Sequence, residues 1–164
     1  MTALTKGNKL IAIKHILAPD QKTDITLGIM HSLPKWFSPP EDIDNKAQLH
    51  RDFEFYAAFD DDKPVGFVAL KQQTDYTMDI YSLGVLESYH RLGIGQQLIA
   101  ASEQYCRDND FTYLTVKTLD GSCDYKPYER TRNFYLKCGF IPLEVFPTIW
   151  DEQNPCLFLA KYLK

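Results

Sequence analysis

Between Thr77 and Tyr105 the chain passes from a strand through Gly93-Ile94-Gly95 into a helix, and that junction limits the folds open to it. Thr77 to Val85 alternates in the strand manner, and Ile94, Leu98, Ala101 and Tyr105 mark one helical face after the glycines. Glycines at such a corner let a backbone come close to something else, and the first amides of the helix have no partner within it. The chain must therefore fold as strands feeding helices, with one corner open at the glycine turn.

The remaining elements set the class. Leu10 to Ile16 reads as a first strand, and Ile25, Ile29 and Leu33 form a helical stripe over Asp20 to about Leu33, with Asp20 as N-cap. Ser38-Pro39-Pro40-Glu41 fits a capping box that opens a second helix. Phe53 to Phe59 and Val65 to Leu70 flank Asp60-Asp61-Asp62-Lys63-Pro64 as a hairpin. After the glycine turn come a strand from Phe111 to Thr118, a helix from about Tyr128 to Lys137 stopped by Gly139, and strands Phe140 to Phe146 and Cys156 to Tyr162. The order βααββ, then βαβαββ, predicts an α/β (α+β) chain with a mixed, mostly antiparallel sheet of about seven strands and helices on both faces.

No linker or repeat divides residues 1–164, so a single domain is expected. The net charge of −4, without a Lys/Arg cluster, argues against a nucleic-acid partner. No apolar run reaches membrane-spanning length and the N-terminus lacks a signal-peptide core, so a cytoplasmic chain without a membrane partner is expected. Cys106, Cys123, Cys138 and Cys156 are widely spaced, with no His at metal-ligand spacing, and no metal is expected.

At the glycine turn, unpaired helix amides suit a phosphate. A tight turn with no ligand is the alternative, since Gly-x-Gly alone is a weak signal. A Walker A loop would need Gly-Lys-Ser/Thr, and a Rossmann fingerprint would need a third glycine where Leu98 stands.

Val85, four residues, His90-Arg91, then Gly93-Ile94-Gly95 resembles the coenzyme A motif of the GNAT acetyltransferase superfamily. His90 stands where that motif carries Gln or Arg. Thr131 to Phe140, with Phe134-Tyr135 three residues before Gly139-Phe140, is similar to the family's second signature, about forty residues on from Gly95. The match runs from about Met78 to Phe146. A looser likeness, through the Trp-Phe segment, Val-Lys-Thr-Leu and Tyr-x-x-Thr-Arg-x-Phe-Tyr, links most of the chain to an uncharacterised bacterial branch.

The resemblance implies acetyl-coenzyme A as acetyl donor. The amides of Arg91, Leu92, Gly93, Ile94, Gly95 and Gln96, with His90, would hold the pyrophosphate. Leu83, Gly84 and Val85 would pair with the pantetheine arm, and Asn133 and Tyr135 would also reach the cofactor. Tyr135 is the implied acid for the departing thiolate, since a tyrosine with pKa near about 10 still carries its proton at neutral pH. Tyr128, seven residues earlier on the same helical face, is a substitute; simple packing is the alternative for Tyr135. Asp79, six residues before Val85, is the implied base for an amine whose deprotonation at pH 7 costs about 4.6 kcal/mol, by relay through water. An exposed strand charge is the alternative for Asp79. Oxyanion stabilisation falls to backbone amides near Val85.

For the acceptor, Trp36 and Phe37 stand where the family places an acceptor-side loop, and Tyr81 shares the face of Asp79. Asp120 and Asp124 either attract a cationic amine or are solvated loop charges. Cys123 has no His partner for a covalent route. The expected activity is direct attack by a small cationic amine, or a peptide amine, on acetyl-coenzyme A. A sensor that binds the cofactor without catalysis and a pure interaction domain are the alternatives. A homodimer is expected by association with the family.

Overall fold

The computed structural model describes residues 3–6 and 9–164. Among them eight strands and four α-helices follow the order β1 (Ala3–Lys6), β2 (Lys9–His15), α1 (Pro19–Met30), α2 (Pro40–Leu49), β3 (Glu54–Asp60), β4 (Lys63–Thr74), β5 (Thr77–Val85), α3 (Ile94–Asp108), β6 (Tyr113–Leu119), α4 (Lys126–Lys137), β7 (Ile141–Asp151) and β8 (Asn154–Tyr162). The chain divides into two compact units, Met1–Lys71 with Tyr81–Tyr105, and Gln72–Ile80 with Cys106–Lys164.

In the first unit β1, β2, β3 and β4 pair antiparallel in turn, and the order continues into β5. Its core joins Ile25, Ile29 and Met30 of α1, Leu33 just after it and Ile43 of α2 to Phe55 and Phe67, whose rings stack 5.2 Å apart. Burying such aliphatic and aromatic side chains contributes about 1.5–3 kcal/mol each. Gly84 lies under this layer: a Cβ there would stand 3.3 Å from Ile29 Cγ2 and 3.4 Å from Phe67 Cε1, so the end of β5 approaches α1 closely and a side chain there would need its neighbours to give. The buried Lys22 ammonium donates to the Phe53 carbonyl at 2.6 Å, satisfying backbone beyond the end of α2.

In the second unit β5 runs parallel to β6, with Asp79 opposite Thr115, while β6 pairs antiparallel with β8 and β8 with β7. α4 ends as the sequence predicts: Gly139 takes φ +92, and the Gly139 and Phe140 amides donate to the Leu136 and Tyr135 carbonyls. The sheet is mixed and mostly antiparallel, as expected. No helix among the described residues is long and apolar enough to cross a membrane.

Several local expectations are corrected. β1 is an added strand. The N-cap of α1 is Ala18, because Pro19 with its fixed φ takes the first helical position and leaves Asp20 in the first turn, where its charge still suits the dipole. Pro39, whose side chain has no acceptor, holds the cap position of α2, so the Ser38 capping box does not form. β4 continues into polar residues at both ends, β8 starts earlier at Asn154, and β7 runs on past Phe146 through Ile149 and Trp150 to Asp151, which pairs with Asn154.

Candidate active site

Two groups of side chains carry chemistry, one in each unit. In the first unit, the face of β5 bearing Tyr81, Leu83 and Val85 is only half-buried, while Ser82 and Gly84 on the other face are buried. A single 3-10 turn, Glu87–Tyr89, follows, anchored by the buried Tyr89, whose hydroxyl donates to the Asp60 carboxylate. That acceptor raises the Tyr89 phenol above its ordinary pKa. His90 Nε2 donates to the Val85 carbonyl at 2.6 Å, so the His in the Gln/Arg position closes the strand end with its own donor.

Arg91 then takes φ 62 and Gly93 φ 79, before Ile94, buried, starts α3. A non-glycine residue with positive φ is uncommon, and here it falls on an exposed arginine at the turn. Left-handed residues followed by the first amides of a 15-residue helix give the form of a backbone anion cradle, the donor set that a pyrophosphate fits. The Leu86 amide already donates to Val65 O at 2.9 Å and is not available to an oxyanion.

The Leu33 to Phe37 segment folds against this turn. Trp36 and Phe37 both donate their amides to the Leu33 carbonyl, the Trp36 ring meets His90 edge-on at 5.6 Å, and Lys35 pairs with Glu87 at 3.2 Å. Lys46 lies over the Phe37 ring. Tyr81 packs against Phe53 and His50, with Lys71 over its ring. Sequence reading missed His50, which is fully buried: Nδ1 is 2.8 Å from Thr26 Oγ1 and Nε2 is 2.9 Å from Ser82 Oγ. Burial, then the Lys46 cation, lowers its pKa to about 3, so it is neutral.

In the second unit Asp79 is 4% exposed, which excludes the exposed-charge reading. Its Oδ1 accepts from Thr115 Oγ1 at 2.7 Å and pairs with Lys117 Nζ at 3.7 Å. Tyr135, buried on α4, is raised well above the ordinary tyrosine pKa, first by burial and then by the Asp79 charge. Tyr128, half-buried, is pushed up to about 12 by burial. Asn133 is exposed, and Asp120 accepts from the Ser122 amide at 3.0 Å; the Ser122 side chain first, with the loop amides and Arg132, holds its carboxyl below the usual range. Thr115 and Lys117 were within reach of sequence reading, since they alternate on one face of β6; their pairing with Asp79 follows only from the register of β5 and β6.

The first unit thus offers amide donors suited to an anion at the turn before α3, and the second a buried carboxylate whose charge acts on a protonated phenol. The model of the acetyltransferase (GNAT) family matches residues 22–140, and the chain belongs to that family. Among solved structures it is similar to a GNAT-family acetyltransferase from Desulfovibrio desulfuricans, at 20% identity and TM-score 0.81 over 94% of this chain and 99% of that one. It is also similar to a GNAT acetyltransferase from Elizabethkingia anophelis with acetyl-CoA bound (21%, TM-score 0.69, 96% and 100%) and to the aminoglycoside 6'-N-acetyltransferase from Enterococcus faecium (21%, TM-score 0.73, 93% and 97%). At these identities the likeness shows the fold. A search of curated proteins gave no match.

Proposed function

We propose that residues 1–164 work as one N-acetyltransferase domain that moves an acetyl group from acetyl-coenzyme A to an amine by direct attack. The observation that carries this is the turn at Arg91 and Gly93, both in the left-handed region, leading into α3. When bound, acetyl-coenzyme A supplies an activated acetyl thioester. The amides from Arg91 to Gln96 hold its pyrophosphate, and Leu83 to Val85 offer strand edge to the pantetheine amides. Asn133 and His90 are assigned supporting contacts.

The acceptor amine arrives protonated, and Asp79 takes its proton through water. Tyr135 holds a proton on Oη across the neutral range, because burial and the Asp79 charge oppose its ionisation. Complete transfer from so weak an acid to a thiolate with pKa near about 8.5 runs uphill, so Tyr135 serves the leaving sulfur first as a hydrogen-bond donor. Tyr128 is the reserve donor.

We assign Trp36, Phe37, Tyr81, Tyr128 and Asp120 to the acceptor, a small cationic amine. The aminoglycoside acetyltransferase among the neighbours supports a small-molecule amine over a peptide. Four cysteines, none in a disulfide, support a reducing compartment, the cytoplasm. A homodimer is supported by β7, where Ile141, Leu143, Val145, Ile149 and Trp150 are all exposed. The test is acetyl-coenzyme A turnover, read as free thiol, across a panel of mono- and polyamines. Thiol release that depends on the amine supports the enzyme; cofactor binding with no turnover on any amine leaves the sensor reading.

A further inference from the structure

Asp79 is not a carboxylate alone in an apolar wall. The parallel register of β5 and β6 sets Thr115 beside it, and the same face of β6 carries Lys117 two residues on. Thr115 Oγ1 donates to Oδ1 at 2.7 Å, and Lys117 Nζ lies 3.7 Å from that oxygen. The lysine is held from the other side as well: its ammonium stands 5.2 Å from the centre of the Phe158 ring on β8, where the ring face favours a cation. With Asp79 buried and Lys117 about one-third exposed, this pair is screened by solvent on one side only.

We propose that Lys117 is a positioning residue for the Asp79 carboxylate: its cation fixes Oδ1 together with Thr115 and keeps Asp79 ionised at the pH of the reaction. The inference rests on the reading of Asp79 as the base. Without a counter-cation, burial would favour the protonated carboxyl, and a protonated Asp79 can accept nothing from an incoming amine. Among the groups facing Asp79 are Lys117 and Thr115 from β6, Tyr135 from α4 and Cys156 from β8. Burial first, and then the Asp79 charge, raises the Tyr135 phenol; burial first, opposed by Lys117 and aided by Asp79 and Asp120, raises the Cys156 thiol. Lys117 is a cation within ion-pair distance of the Asp79 carboxylate.

The test is the titration of the Asp79 carboxyl carbon by 13C NMR in the full chain, assigned with Asp79→Asn. It is followed in Lys117→Met, Lys117→Gln and Lys117→Arg, with folding checked by circular dichroism. Removing the cation should raise the Asp79 midpoint by about one pH unit or more, and Lys117→Arg should restore it. An unchanged midpoint in folded Lys117→Met or Lys117→Gln overturns the proposal, as does an equal rise in Lys117→Arg, which would point to packing instead of charge. If one neutral variant fails to fold, the other carries the measurement. An Asp79→Asn protein with full turnover would remove the base role while leaving the titration result standing.

Discussion

Tyr135 and Asp79 are both buried, and burial first, then the Asp79 charge, opposes ionisation of the Tyr135 phenol. Tyr135→Phe keeps the ring against Phe140 and removes only the proton, so kcat should fall about 10–100-fold with acetyl-coenzyme A affinity within about twofold. Turnover equal to wild type would take Tyr135 out of the mechanism. Because its folded pKa is raised, the stability gained by burying the neutral phenol is complete below the unfolded value near about 10 and is lost as pH rises through the folded value. A spectrophotometric phenol titration of wild type against Tyr135→Phe should accordingly show no Tyr135 ionisation below pH about 10. A midpoint at the ordinary value would mean that Tyr135 is solvated.

At the scale of elements, α1, α2 and β5 meet at His50, which follows α2 and reaches Thr26 on α1 and Ser82 on β5. A histidine buried as the neutral ring contributes stability that is fully present above its unfolded pKa of about 6.5 and is lost as pH falls towards its folded value. By pH 4.5 the loss amounts to about 2–3 kcal/mol, from roughly two units of unequal protonation. Urea melts at pH 7 and 4.5 should show wild type losing that much more than His50→Gln, which cannot titrate; equal losses would show His50 to be solvated. None of this was legible in the sequence, where His50 lies thirty-two residues from Ser82. What could be read was local: the Gly139 stop, the glycine turn and the β5 alternation each depend on neighbours within a few residues. Pairings across elements, Asp79 with Lys117 or Trp36 with His90, depend on strand register and loop packing, which no local pattern encodes. The caps failed for a related reason: Pro19 and Pro39 displaced the polar residues whose side chains suited the role.

For the whole molecule, the −4 charge offers an anionic cofactor no general attraction, so binding must come from the turn itself. The exposed apolar side chains of β7 give a separate expectation. Sedimentation should find a dimer at micromolar concentration, and Ile149→Asp with Trp150→Ser should shift it to monomer; a monomeric wild type would leave those side chains unexplained. The central claim is that the turn before α3 holds acetyl-coenzyme A, and calorimetric titration of the full chain, with Gly93→Asp as control, tests it most directly. The account expects micromolar binding, weakened at least about tenfold in the variant, because an aspartate at φ 79 strains the turn and sets a negative charge beside the phosphates. No binding by the folded wild type, or equal binding by the variant, would contradict it.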